Sequence, residues 1–247
     1  MTALPVSALL CTWLDAVHQG HAGPDDLADA VRGTDPRHLV VGLPAHQAAG
    51  TSGWSAESGS VEVLELQALP QLLSGPARLA LPVSGDPVGL GGPSELTIAA
   101  LEAGEAVVAG PVGLVPEVDA RTVLWRAYAA DPAPYVDERE TAIELRTTLT
   151  EVTARLVDLD VAEWQPDIPD LLMNLRHRAR LPLPPGLENR RVETVERAVL
   201  CLDIVALARD GEGGAVSAYE MNRRRSALDD LDRAARHALV GACSARA

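Results

Sequence analysis

Two residue types are missing from the chain. There is no phenylalanine, and aromatic residues make up only 3% of its 247 positions. The interior must therefore be assembled from leucine, valine and alanine, with Trp13, Trp54, Trp125 and Trp164 as the large anchors. Lysine is also missing, so all 21 basic residues are arginine. That usage reflects a GC-rich genome more than a mechanism. The three cysteines, Cys11, Cys201 and Cys243, are widely spaced singletons with no C-x-x-C pairing. Such spacing excludes a disulfide framework and a zinc motif, and a reducing cytoplasm is the simplest compartment. No apolar run approaches the roughly 18 residues of a transmembrane helix. The short run Ala8-Leu9-Leu10-Cys11 has no basic residue before it, and Leu10 is too large for the position ahead of a lipoprotein cysteine.

Positive charge is scarce in the first half. Residues 1–134 hold 15 acidic residues against 5 arginines, and the remainder holds 20 against 16. The formal charge of −14 opposes unspecific binding to nucleic acid or to an anionic membrane. Any anion site belongs more naturally to the second half. At this length, and with 47% apolar residues, the chain can bury a core without disulfide or metal staples.

The clearest periodicity runs from Asp137 to Asp160. Ala142, Leu145, Leu149, Val152, Leu156 and Leu159 recur every three or four residues, the spacing of one helix face. Three further helix-length patterns follow. Ile168, Leu171, Leu172 and Leu175 mark a short one, and Val192, Val195, Val199, Leu202 and Val205 a long one. Leu228, Leu231, Ala235 and Leu239 mark the last, preceded by Ser217 and Glu220 at capping-box spacing. Four amphipathic helices joined by short connections suggest an antiparallel bundle. The segment Leu181-Pro182-Leu183-Pro184-Pro185-Gly186 reads as a stiff, extended connection.

Ahead of Asp131-Pro132-Ala133-Pro134, the best linker, the pattern is mixed. Helices are expected from Val6 to Gln19, from Pro24 to Gly33, and from a cap at Ser94 through Ala103 to Gly104. Strand candidates are His38–Leu43, Ala77–Val83, Ala106–Ala109 and Thr122–Tyr128. Val61–Leu66 alternates like a strand, although Leu64–Leu73 also reads as a helix. Gly110-Pro111 and Val115-Pro116 read as punctuation between strands. The expected fold is α+β: an N-terminal mixed α/β region with a small sheet over 1–133, then a C-terminal antiparallel helical bundle over 134–247.

Candidate chemistry is sparse. Gly89-Leu90-Gly91-Gly92 precedes the Ser94 helix, where backbone N–H groups could cradle a phosphate. The run matches neither G-x-G-x-x-G nor a Walker A, and its plainer reading is a turn that needs glycine. Arg176, His177 and Arg180 form the core of the strongest basic cluster, with Arg178, Arg190 and Arg191 nearby. Arg176 and Arg180 share a helix face and could grip a carboxylate or phosphate, while His177 could titrate near neutrality. The plainer reading is a solvated face pairing with nearby acids. Arg225 and Asp229 are spaced for a local ion pair. His18 and His21 straddle Gly20, where a helix ends, which argues against a metal site. Cys201, between Leu200 and Leu202, reads as a buried and unreactive thiol. His46 lies in a glycine- and serine-rich loop with Trp54, the kind of segment where function often sits.

Gly42-Leu43-Pro44-Ala45-His46, Gly53-Trp54 and Ala100-Leu101-Glu102-Ala103-Gly104-Glu105-Ala106 resemble segments of hypothetical proteins from high-GC Gram-positive bacteria. The resemblance extends to the composition of the helical C-terminal part. It implies a bacterial cytoplasmic setting and carries no activity to any residue. The leading expectation is a non-catalytic cytoplasmic protein that binds a protein partner or itself, with no cofactor and no metal. The alternative is an enzyme or sensor for a small phosphate- or carboxylate-bearing ligand. It would sit between the two regions, held by His46, Gly89, Gly91, Gly92, Arg176, His177 and Arg180.

Overall fold

A computed structural model describes residues 4–33, 37–43, 64–119, 122–158, 180–210 and 218–244. Among these residues the protein is mixed α+β, with seven α-helices and one five-stranded mixed sheet. They divide into two compact units. The first comprises Pro5–Val136, Pro182–Glu188 and the chain from Cys243 on; the second comprises Asp137–Leu181, Asn189–Ala242 and the start of the chain.

The first unit holds α1 (Val6–His18), α2 (Pro24–Arg32), β1 (His38–Val41), a 3-10 turn (Leu66–Ala68) continuing into α3 (Leu69–Leu72), β2 (Ala77–Ala80), α4 (Ser94–Ala103), β3 (Ala106–Ala109), β4 (Val112–Asp119) and β5 (Thr122–Ala129). The strand order is β1-β5-β4-β3-β2, with β1 parallel to β5 and every other pair antiparallel. The described part of the ambiguous Val61–Leu73 stretch, from Leu64 on, resolves in two ways. Leu64 bridges to Val40 like a strand residue, and the chain then turns helical from Leu66.

One strand was hidden in the sequence. Pro116 reads as a breaker, yet it lies within β4 opposite Trp125. The pairing explains why it is tolerated. β3 meets β4 only at Val112–Leu114, so from Pro116 onward β4 pairs with β5 alone. A proline there has an unpaired strand side available and need not break a central ladder. Ser94 also differs from expectation. It is the first helical residue, behind Pro93, and no side chain caps α4. Gly104 does close the helix, in the left-handed conformation that favours glycine (φ +76°).

α1 is buried on nearly all sides: Ser7, Ala8, Leu10, Cys11, Thr12, Trp13, Leu14 and Ala16 are inside. It packs against α2, β2 and β3. A helix so enclosed needs partners for its polar groups. The Thr12 hydroxyl donates to the Ala8 carbonyl (2.9 Å), the Trp13 indole N–H to the Pro182 carbonyl (2.8 Å) and the Cys11 thiol to the Cys243 carbonyl (3.3 Å). No local side chain caps the first turn of α1. The Ser7 N–H donates instead to the Glu105 carboxylate, 98 residues away, at 2.7 Å. Leu181–Gly186 is thus more than a spacer, because its Pro182 carbonyl serves α1. Trp125, the largest fully buried side chain among the described residues, donates its indole N–H to His38 Nδ1 at 3.2 Å.

The second unit contains α5 (Glu138–Asp158), α6 (Asn189–Asp210) and α7 (Ala218–Cys243). Asp137 caps α5, its Oδ1 accepting the N–H groups of Arg139 (2.8 Å) and Glu140 (2.9 Å). Of the expected α5 stripe, Ala142, Leu145 and Val152 are buried and Leu149 and Leu156 are half-buried. Arginines join the helices. Arg190 reaches Glu138 (3.0 Å), Arg155 reaches Asp230 (2.7 Å) and Arg209 reaches Asp229 (2.8 Å). Asp229 therefore serves a neighbouring helix. Arg191, only 6% exposed, donates from Nε to the Ala242 carbonyl at 2.7 Å and satisfies a helix-end acceptor. Gly241 lets α7 approach the first turn of α5, because a Cβ there would fall 2.7 Å from Thr141 Oγ1.

Two outcomes follow. Leu145→Ala, at a fully buried position, should cost about 2–5 kcal/mol in urea denaturation, well above Leu156→Ala at its half-buried site. Burial pushes the Glu105 carboxyl up, outweighing the Ser7 hydrogen bonds that lower it. The folded pKa lies above the unfolded one, so this group's contribution is fully present below the ordinary carboxylate value. It is lost as pH rises through the folded pKa. Glu105→Gln should therefore gain stability relative to wild type between pH 4 and pH 8 in paired urea titrations, whereas a constant difference would refute that assignment.

Candidate functional site

The glycine turn is held by close packing. Gly89 adopts φ +85°, and a Cβ on it would strike the Leu79 carbonyl and Ala80 Cα. A Cβ on Gly91 would strike the Pro132 carbonyl. Gly92, at φ +111°, precedes a cis peptide to Pro93, and its carbonyl accepts the Asp131 N–H at 3.1 Å. Between them Leu90 enters an apolar cluster with Ala80, Leu96, Ala100, Ala106, Val108 and Val115. The turn thus packs the start of α4 against β2 and against the Asp131-Pro132 segment. The local charge is acidic. A Cβ on Gly92 would lie 3.0 Å from Asp131 Oδ2, and Glu95 occupies the first turn of α4. Those carboxylates oppose a second anion at the helix start.

His46, Arg176 and His177 lie outside the described residues, as do Trp54 and Trp164. Arg180 is described and exposed. Arg190 and Arg191, the neighbours of the basic cluster, are engaged within the helical unit as described above.

A different concavity opens beside α1. It is an open cleft of about 440 Å³ lined by Asp15, His18, Pro70, Leu73, Gly75 and Pro76. His18 Nε2 lies 3.0 Å from the Pro70 carbonyl, so Nε2 is the nitrogen that donates to it. Asp15 accepts from Gln19 Nε2 at 2.9 Å. One imidazole and one carboxylate in an open depression can bind a polar group, but they do not form a nucleophile-base relay. No three His, Cys, Asp or Glu side chains converge as a metal site among the described residues. Cys201 is buried, and burial pushes its thiol up to about 11, so little thiolate forms at neutral pH.

The surface feature that sequence reading missed is on α4. Leu96 and Ala100 are fully buried, while Ile98 is 58% and Leu101 37% exposed. The signal was available. In Ser94–Ala103 the apolar positions 96, 98 and 101 cannot share one face of a 3.6-residue repeat. Leu96 and Ala100 face the sheet, so Ile98 and Leu101 form a second, outward pair one turn apart. Glu95 and Glu102 are exposed beside them. Their field reaches the sheet: burial pushes the Tyr128 hydroxyl up, and Glu117, Glu102 and Glu95 add to that rise while Arg126 opposes it.

The family profile described as Rv1486c-like protein, N-terminal domain, matches residues 7–138, and its C-terminal domain profile matches residues 139–240. The uncharacterized protein Rv1486c of Mycobacterium tuberculosis (strain ATCC 25618 / H37Rv) is 29% identical over 281 aligned positions, covering 97% of this chain and 96% of that protein. The uncharacterized protein ML1804 of Mycobacterium leprae is 30% identical over 173 positions, covering 61% of this chain and 55% of that protein. These relatives come from high-GC Gram-positive bacteria, in keeping with the sequence resemblance. No solved structure matches the chain.

Gly91→Ala should destabilise the protein by about 1–3 kcal/mol or more, because backbone fills the space its Cβ would take. Equilibrium unfolding measures the loss, and a neutral outcome would contradict the packing role. Under native conditions Cys201 should react with a thiol reagent at least about tenfold more slowly than after denaturation.

Proposed function

Because this chain belongs to the Rv1486c-like family, whose relatives above are named uncharacterized proteins, we propose its function from its own surface. It is a non-catalytic cytoplasmic protein that acts by binding another protein chain, a partner or a second copy, through the outward face of α4. The observation that carries this reading is the exposed pair Ile98 and Leu101, backed by a helix whose inner face is already committed to the core. Burying an Ile or Leu contributes roughly 1.5–3 kcal/mol, so a chain covering both gains a driving force that water does not supply. The overall acidity of the chain favours a protein partner over nucleic acid.

The same reading treats 1–133 and 134–247 as two regions. The helical region is an antiparallel bundle in which α7 runs against α5 and α6. Supporting this are the contacts of Arg191 near the start of α6 with Ala242 near the end of α7, of Arg224 with Ala208, and of Arg155 with Asp230. The other functional reading is a small anion held by Gly89, Gly91, Gly92, His46, Arg176, His177 and Arg180.

Native mass spectrometry of the gently purified, untagged protein separates the two. A mass lost on denaturation would favour the anion reading and remove the binding module from first place. The double variant Ile98→Asp, Leu101→Asp should keep its stability within roughly 0.5 kcal/mol per site, as surface changes do. It should also lose any oligomer or protein complex that the wild type forms. A complex that survives both substitutions would place the contact elsewhere.

A further inference from the structure

We propose that the partner of the α4 face is a basic, amphipathic protein segment, apolar anchors rimmed by arginine or lysine, rather than a second copy of this chain. The inference rests on the preceding reading of α4 and adds the partner's chemistry.

Charge decides between the two occupants. The outward face of α4 sets Ile98 and Leu101 beside Glu95 and Glu102, and α4 itself holds no basic residue. Under the sheet end of the same patch, Arg126 is engaged by Glu117 through two hydrogen bonds, Nε to Oε1 at 2.6 Å and Nη2 to Oε2 at 3.0 Å. That pairing lowers the Glu117 carboxyl below its ordinary value and leaves Arg126 committed locally. Glu95 and Glu102 also act on Tyr128, which packs beside the core cluster under α4.

A twofold self-contact places the same surface on both sides. With the twofold axis at α4, it would set Glu95 and Glu102 of one copy against the same carboxylates of the other, with no cation on either helix. Like charges brought together at an interface oppose association, and complementary ones steer it and set its register. The excess of acidic residues over arginine in residues 1–134 extends that repulsion beyond the contact itself. A basic rim on the partner meets the carboxylates while its apolar residues cover Ile98 and Leu101, the usual division between a dry centre and a polar rim.

The test uses the full chain and two fluorescent helical peptides of about 20 residues with the same leucine stripe. One carries arginine and the other glutamate on the flanks, and labelled full-length protein serves as the second-copy probe. Fluorescence anisotropy should show the arginine peptide binding at least about tenfold more tightly than the glutamate peptide and than the second copy. Its affinity should fall about tenfold on Ile98→Asp with Leu101→Asp. Glu95→Arg with Glu102→Arg should reverse the preference between the peptides, while Asp25→Asn with Asp26→Asn on α2 changes neither affinity. Circular dichroism checks that each variant remains folded. Arginine-peptide binding that ignores the α4 changes, or that follows the α2 acids equally, is general charge attraction and overturns the proposal. A second copy that binds tighter than the peptide and is lost with Ile98 and Leu101 overturns the partner chemistry but keeps α4 as a contact surface. Failure of all three probes to respond to α4 overturns both.

Discussion

The enclosure of α1 is the constraint from which much of the sheet-bearing unit follows. A helix buried on nearly every side gains from apolar packing, but each polar group it carries inward must find a partner or cost free energy. Its partners come from distant parts of the chain: Glu105 for the Ser7 N–H, Pro182 for the Trp13 indole and Cys243 for the Cys11 thiol. The β2 edge is treated similarly, since the Leu79 N–H donates to the Ser244 hydroxyl at 3.1 Å. Segments that look like a loop end, a linker and a helix end in sequence thereby become structural members of one unit. Without phenylalanine to fill space, the described part of that unit relies on leucine, valine and the indoles of Trp13 and Trp125.

In the helical unit arginine performs a parallel task. A guanidinium offers several donors in a fixed plane, so it can pair with a carboxylate or satisfy a helix-end carbonyl without leaving a bare buried charge. Arg190, Arg191, Arg155 and Arg209 are used this way. Residues that look like an anion-binding cluster in one dimension are in part the ties between helices in three. The same caution applies to Gly89–Gly92, where the absence of a side chain serves close backbone packing.

Those roles leave the proposed contact on a surface rather than in a pocket. The α1 cleft offers one imidazole and one carboxylate to open solvent, whereas α4 presents an apolar pair beside its own carboxylates. An exposed apolar pair of that kind is hard to read from a motif search because it has no fixed chemistry to match. Its trace was an excess of apolar residues around α4, visible only once one face had been assigned to the core.

The helices from Val6, Pro24 and Asp137, the helical stripes Val192–Val205 and Leu228–Leu239, and four of the five strands among the described residues were legible by themselves. Periodicity and glycine stops are local properties of short segments. Resemblance to proteins of high-GC bacteria was likewise carried by short runs of residues. Tertiary structure alone decided that Pro116 sits in a strand, that Glu105 serves the first turn of α1, that Arg191 turns inward and that Ile98 faces water. Each of these depends on which distant segment supplies a hydrogen-bond partner or covers a face. Spacing along one segment reports which residues lie side by side, but it holds no information about what is packed against them.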